Sequence, residues 1–433
     1  MTASDKQNPN KSLRTVPTVS RVCGDTLIDL VYDPDTRKTG LAVSRFGGLW
    51  NIEQEVRTAT GEVLVPYSPS NNLIVNNCVL LPSKPEEFGH KHELLADIRA
   101  FVHRYVDLSP LFEHIAVHYI LLTWVYDAFN ELGYLRLRGD YGTGKTRGLA
   151  VLGSLCYKGF FASGASSVSP IFHVLDSFGG TLIFDEADLP FSDAKADMVK
   201  VFNNGIMRGM PVLRTIVNRH KEFNPQAFKV YGPKIIAMRG AFDDRALESR
   251  FLTEETGTRP LRDDVPLYVP PSLKDEALHL RNRLLHFRLC NFFTIKTDTT
   301  ALMEGVEPRL NQTALSLLSL VDDPDVRRAI QAALIEENAN TLSERRETTE
   351  GAVLVSVVEA FAASGGAPVP VRDVAARFNA AHCAEYGGSV SNKWIGHVLR
   401  KGLRLVAHKS NGIYVIPISE KPKIDALAAR LGM

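Results

Sequence analysis

Tyr134-Leu135-Arg136-Leu137-Arg138-Gly139-Asp140-Tyr141-Gly142-Thr143-Gly144-Lys145-Thr146 is the stretch that decides the fold. Its first five residues read as a short strand. The next eight match GxxxxGK[ST], and a helical pattern begins near Thr146. Strand, glycine turn and helix in that order make a phosphate cradle. The glycines let backbone N–H groups turn inward on phosphate oxygens, and the helix N-terminus adds partial positive charge. Gly139, Asp140, Tyr141, Gly142, Thr143, Gly144, Lys145 and Thr146 are therefore the candidate ATP-binding residues. Lys145 is placed to reach the β and γ phosphates, and Thr146 to ligate Mg2+.

A cradle that serves hydrolysis needs carboxylates facing it. Thr181-Leu182-Ile183-Phe184-Asp185-Glu186 reads as a buried strand ending in two acids. Asp185 is a candidate Mg2+ ligand, and Glu186 can orient and deprotonate an attacking water. One further strand, Phe160 to Ser163, and a helix, Ser169 to Phe178, lie between the two motifs. The order predicts an α/β parallel sheet, and the second carboxylate favours a hydrolase over a small-molecule kinase.

Outward from this core, 433 residues suffice for two to four domains. Segments Thr26 to Tyr32, Gly40 to Arg45, Trp50 to Thr58, Glu62 to Tyr67 and Leu73 to Leu81 alternate between turn signals, which predicts a small antiparallel β domain over 1–90. Helical spacing at Leu94, Ile98, Phe101, Val102 and Tyr105 leads into the nucleotide core, 91–271. A helical lid is expected over 272–346 and a separate basic module over 347–433.

Hydrophobic residues form 45% of the chain and charged ones 23%, so it should fold throughout. A net charge of +1 excludes a global basic signature, and any nucleic-acid contact must come from local patches. The five cysteines are scattered without ligand spacing, which fits a reducing compartment. His90, His92, His103, His114 and His118 are too loosely spaced for a metal site. With no leader pattern and no spanning run, a cytoplasmic location is expected.

On these motifs the chain resembles the AAA+ ATPases from Leu132 to Val321. Within them it is similar to minichromosome-maintenance-like and phage or plasmid primase-helicase-like replicative helicases. The resemblance implies a P-loop core, a three-layer αβα parallel sheet, flanked by the small β domain, the lid and a C-terminal winged helix. Ala246-Leu247-Glu248-Ser249-Arg250-Phe251 looks like the family's A-L-x-S-R-F signature. Arg250 is then the arginine finger, a cation supplied to the γ-phosphate on the neighbouring subunit of a homo-hexamer. Glu307-Pro308-Arg309-Leu310-Asn311 is similar to the sensor-2 segment, which implies a phosphate contact for Arg309.

Two extended arms from Arg208 to Val230 flank Arg219, His220 and Lys221, at the place of the pore hairpin that grips DNA in related hexamers. As a charge cluster alone such a tip is more often a solvated turn. One departure stands out: after Lys234-Ile235-Ile236-Ala237-Met238 the family usually offers Asn, Thr or Ser as sensor 1, and here stand Arg239 and Gly240. Asn203 or Asn204 is an alternative.

Residues 351–433 hold ten lysines and arginines against five acids. Helices Val353 to Ala363, Val371 to Ala381 and Asn392 to Lys401, then strands Leu403 to Ala407 and Ile413 to Ile418, resemble a winged helix. In the third helix Trp394, Ile395, Val398 and Leu399 form an apolar stripe. Asn392, Lys393, His397 and Arg400 are left for DNA, with Lys409 on the wing and Ser391 as N-cap. A protein-docking use of the same module is the bland alternative.

The function expected is an ATP-dependent DNA helicase of bacterial, phage or mobile-element replication. An ATP-switched initiator, loader or transposition regulator that does not unwind DNA is the second reading. A protein remodeller is the third.

Overall fold

The computed structural model describes residues 14–46, 48–188, 193–215, 224–242 and 244–433. By packing, the chain forms two units. One runs to Leu302 and takes in Pro308–Ile330; the other combines Met303–Glu307 with Gln331–Met433.

The first unit opens with β1 (Arg14–Thr18), β2 (Ser20–Cys23), β3 (Thr26–Asp33), β4 (Lys38–Arg45), β5 (Leu49–Glu53), β6 (Val56–Arg57) and β7 (Glu62–Pro66). Strands β2-β3-β4-β5 form an antiparallel sheet, whereas in the sheet β1-β7-β6 the β1–β7 pair is parallel. The expected strand Leu73 to Leu81 is instead a single turn, α1 (Asn72–Val75), followed by an isolated bridge from Val79 to Phe160. The Asn71 side chain accepts from Leu73 N at 2.9 Å, and Asn77 adopts φ +50, so asparagine chemistry closes a turn where apolar spacing suggested a ladder. Nor is residue 90 a break in packing. Ile28, Leu30, Leu41 and Val43 share one core cluster with Tyr134, Phe160 and Phe184.

Helices α2 (Lys91–Tyr105) and α3 (Pro110–Thr123) lead to the parallel-sheet core. Its elements are β8 (Tyr134–Arg138), α4 (Lys145–Leu155), β9 (Phe160–Ser163), α5 (Val168–Phe178), β10 (Leu182–Asp185), α6 (Asp193–Asn204), β11 (Val212–Arg214), β12 (Gln226–Phe228), β13 (Lys234–Met238), α7 (Arg245–Glu248) and β14 (Phe251–Glu255). Five strands pair in parallel in the order β14-β8-β13-β10-β9. Strand alternation gives the layers. Leu137 meets Gly148 of α4 on one face, while Tyr134 and Phe184 set their rings 6.5 and 6.1 Å from Phe202 of α6 on the other. The sheet thus has helices on both faces.

Helices α8 (Leu273–Asn291), α9 (Pro308–Leu318) and α10 (Pro324–Glu347) follow. Expected as part of a lid, α8 is tied to the N-terminal strands. Arg288, wholly buried, pairs with Asp29 at 2.7 Å and Asp127 at 2.6 Å, and Ser44 Oγ donates to Leu289 O. Lys158 joins the same buried cluster, 3.3 Å from Asp29. Removing one member of such a cluster costs about 3–5 kcal/mol, because the others are left uncompensated.

The second unit contains α11 (Thr349–Ala363), β15 (Val369–Pro370), α12 (Val371–His382), α13 (Asn392–Lys401), β16 (His408–Ser410), β17 (Ile413–Ile416) and α14 (Lys421–Ala429) around its own core. Its antiparallel sheet runs β15-β17-β16. The wing strand expected at Leu403 to Ala407 lies later, at β16. Leu403 and Leu405 are buried, but Arg404 between them takes φ +54 and breaks the extended run. Asn411 (φ +48) and Gly412 (φ +82) then close β16 and β17 as a two-residue hairpin of the Asn-Gly kind.

Candidate functional site

Sheet order creates the candidate site. Strand β13 lies between β8, which feeds the glycine turn, and β10, which ends in Asp185, so both motifs open at the carboxyl edge of one sheet. Gly142 (φ +73) and Gly144 (φ +84) take the left-handed conformation that the turn requires, with Gly144 as the N-cap of α4. Lys145 Nζ donates to Gly139 O at 2.8 Å and Asp140 O at 2.6 Å, folding back over the turn. Thr146 Oγ1 donates to Asp185 Oδ2 at 2.7 Å. A hydroxyl and a carboxylate at that spacing are the hard oxygen donors that suit Mg2+, which keeps most of its water. The donor set therefore fits the metal.

Glu186, beside Asp185, is exposed and held at φ +56, with its N–H on Asp185 Oδ1 at 2.9 Å. A non-glycine residue there is strained by about 1–3 kcal/mol, and the kink carries Glu186 out of the strand line. Beyond it, Asp188 accepts from the N–H groups of Arg239 (2.6 Å) and Gly240 (3.1 Å), and so ties the acidic loop to the end of β13. The Arg239 guanidinium lies over the ring of Tyr141. Arg239 thus stands between phosphate turn and acids. Asn203 and Asn204 do not: they end α6 beside Arg250, at the opposite edge of the sheet.

A cavity of about 450 Å3 continues from Gly144 along Arg147, Val106 and Leu108 to Thr256 and Leu267. Arg147 shapes it by donating to Pro266 O (2.5 Å) and Leu267 O (2.6 Å). Thr256, which bonds Thr143 Oγ1 at 2.8 Å, was not legible in sequence, because only the β14–β8 pairing brings it there.

Arg250 precedes β14, whose first residue pairs with Tyr134 at the start of β8. It is half-buried, with Nη1 on Phe202 O (3.3 Å) and Asn203 O and Nε on Ala246 O (3.2 Å). Burial lowers its pKa from the ordinary arginine value. Glu248 turns away to Arg136 (2.7 Å) and Arg138 (3.3 Å). Arg309, at the start of α9, donates to the same Ala246 O at 2.8 Å, so the two arginines sit together.

The expected hairpin has its arms: β11 and β12 pair antiparallel from Val212↔Phe228 to Arg214↔Gln226. Its tip residues Arg219, His220 and Lys221 lie outside the described residues. In the second unit Asn392, Lys393 and Arg400 line one side of a cavity of about 560 Å3, and Ser391 Oγ caps α13 through Trp394 N. His397 and Lys409 are exposed but do not line that cavity. Among the described residues no helix is long and apolar enough to cross a membrane, and no group of three or more His, Cys, Asp or Glu could hold a metal.

No protein family model matches the chain, and no curated protein matches it. Among solved structures it is similar to the C-terminal region of NrS-1 at 13% identity and TM-score 0.37, over 90% of this chain and 96% of that one. JCV helicase is similar at 17% identity and TM-score 0.25, over 61% and 65%. Cdc6p from Pyrobaculum aerophilum is similar at 12% identity and TM-score 0.19, over 80% and 94%. At such scores the likeness carries nothing to this chain; its function is read from its own residues.

Proposed function

We propose that this chain is an ATP-hydrolysing DNA motor of the replicative helicase type, working as a homo-oligomer whose ATP sites are completed by a neighbouring subunit. The observation that carries the ATPase reading is the 2.7 Å contact of Thr146 Oγ1 with Asp185 Oδ2 across β13, beside the glycine turn. Two motifs 39 residues apart in sequence meet as one donor set.

The phosphates of ATP are held by the backbone N–H groups from Gly142 to Thr146 and by Lys145, which exchanges its two loop carbonyls for phosphate oxygens. The cavity along Arg147, Val106 and Leu267 takes the base. Thr146 and Asp185 hold Mg2+, which when bound neutralises developing charge on the terminal phosphates. Glu186 accepts the proton of the attacking water. Arg250 reaches the γ-phosphate of the adjacent subunit, with Arg309 beside it. The β11–β12 hairpin and the second unit, read as a winged helix, contact DNA.

ATP-dependent strand displacement on forked DNA, with Lys145→Ala and Arg250→Ala as controls, tests this reading. Unwinding that both substitutions abolish supports a helicase. DNA-stimulated hydrolysis without unwinding replaces it with a DNA-switched initiator or loader. Absence of magnesium-dependent ATP binding removes the motor reading altogether.

A further inference from the structure

A recognition helix that enters a major groove must protrude, yet the face of α13 that carries Asn392, Lys393 and Arg400 is the wall of a concavity of about 560 Å3. The opposite wall is the hairpin β16–β17. It contributes Ile413, 36% exposed, and Tyr414, 55% exposed, and Ala407 and the buried Val371 complete the apolar part of the lining. The charged side chains of the lining are all basic: Arg372, Lys393 and Arg400. Arg372 has an acidic neighbour, Asp373, at 3.3 Å; the lining itself includes no acid.

Gly396 supplies an independent observation. It sits inside α13, where glycine weakens a helix relative to alanine. Packing does not require it, because a Cβ built there meets nothing within 4 Å, and its φ is not positive. What the missing side chain does is open the concavity between Lys393 and Arg400, one turn to either side. A position that costs helix stability and relieves no contact is explained by something that enters the space.

We propose that this concavity takes a strand of DNA that has left the duplex, with one unstacked base lying on the ring of Tyr414 and the flanking phosphates on Arg372, Lys393 and Arg400. Every base has a π face, so the contact is sequence-tolerant. A base stacked inside a duplex has both faces covered by its neighbours and none to offer the ring. The site therefore selects single strands and fork junctions over blunt duplex. The inference rests on the DNA reading above and deepens it, since Tyr414 and Arg372 carried no role there.

Fluorescence anisotropy with the full-length chain and labelled single-stranded, forked and blunt duplex DNA tests it. Photo-crosslinking of a halogenated base placed at the fork junction locates the contact. The chain should prefer single strand and fork, and the crosslink should map to β17. Tyr414→Ala should weaken fork binding about tenfold, with Tyr414→Phe near wild type. Each of Arg372→Ala and Lys393→Ala should flatten the salt dependence by roughly one phosphate contact.

Gly396→Ala separates structure from binding: it should raise the melting temperature of this unit and weaken fork binding at once. If blunt duplex binds as tightly as fork, or if Tyr414→Ala and Gly396→Ala bind like wild type, the strand pocket is wrong and a duplex reader stands in its place. A wild-type chain that binds no DNA overturns both this inference and the DNA reading on which it rests.

Discussion

The guanidinium carbon of Arg239 lies 4.5 Å from the centroid of the Tyr141 ring, bridging the end of β13 to the phosphate turn. Asp188 anchors the other side of Arg239, 3.6 Å from its Nε. Arg239 is thus held beside the glycine turn on the chain's own side of the proposed ATP site, at the position where the resemblance implies a small polar residue. Arg239→Ala should leave ATP affinity within a few-fold of wild type and slow hydrolysis by about 10²-fold, with partial rescue by Arg239→Lys. Steady-state kcat and KM, measured beside fluorescent-nucleotide binding, check this. An unchanged kcat would make Arg239 a brace for Tyr141 and nothing more.

The Thr146–Asp185 contact gives a metal-specific prediction. Asp185→Asn keeps the shape of the strand end and removes the charge, so magnesium-dependent hydrolysis should fall by at least about 10²-fold while nucleotide still binds without metal. Titration of Mg2+ into wild type and variant at saturating ATP reads this directly. Equal magnesium requirement in the two proteins would remove Asp185 from the metal site.

The glycine turn, the acidic strand and α13 were legible because each is a local pattern: fixed spacing, an apolar run ending in Asp-Glu, and a 3.6-residue stripe with Ser391 before it. What escaped depends on partners distant in sequence. Thr256 reaches the cavity beside the glycine turn only through the pairing of β14 with β8, and Leu267 is held there by Arg147. Asp188 matters because it meets a backbone 51 residues away. The tie of α8 to the N-terminal strands is of the same kind, since Arg288 finds Asp29 at a separation of 259 residues. The turn at Asn71 to Asn77 has a local signal that the apolar spacing masks: the side chains of Asn71 and Asn76 bond nearby backbone, at Leu73 N and Asn72 O.

Lys234 carries a pH prediction. It is fully buried; its ammonium donates to Val230 O (3.0 Å) and Gly232 O (2.8 Å), and burial pulls its pKa down to about 7. In the unfolded chain it keeps its proton to near the ordinary value of 10.5. Between those limits the unfolded state holds a proton that the native state has released, so stability from this group rises with pH, by up to about 1.4 kcal/mol per unit. Below the folded pKa the penalty is complete and flat. Lys234→Met should erase the slope: urea midpoints of wild type should gain on those of the variant as pH climbs from 7 toward 10. Parallel midpoints across that range would show that Lys234 stays charged in the fold.

Arg250 sits at the amino edge of the sheet and the phosphate turn at the carboxyl edge, separated by the length of β8. Five residues at roughly 3.3 Å each put them some 16 Å apart, more than an arginine side chain spans. Arg250 cannot serve the site of its own chain, so any contact with a γ-phosphate must be made across a subunit boundary. Arg250→Ala should therefore lower hydrolysis by about 10³-fold with nucleotide binding intact. The substitution also releases the carbonyls of Phe202 and Asn203, so a loss of activity alone could reflect loosened packing. Mixing removes that ambiguity. Subunits carrying Arg250→Ala keep a sound phosphate turn, and subunits carrying Lys145→Ala keep a sound arginine; where the first presents its turn to the second, a complete site forms. Partial recovery of hydrolysis in the mixture, from two proteins each inactive alone, is the expected result. A mixture as inactive as its components would overturn the shared site and, with it, the oligomeric motor.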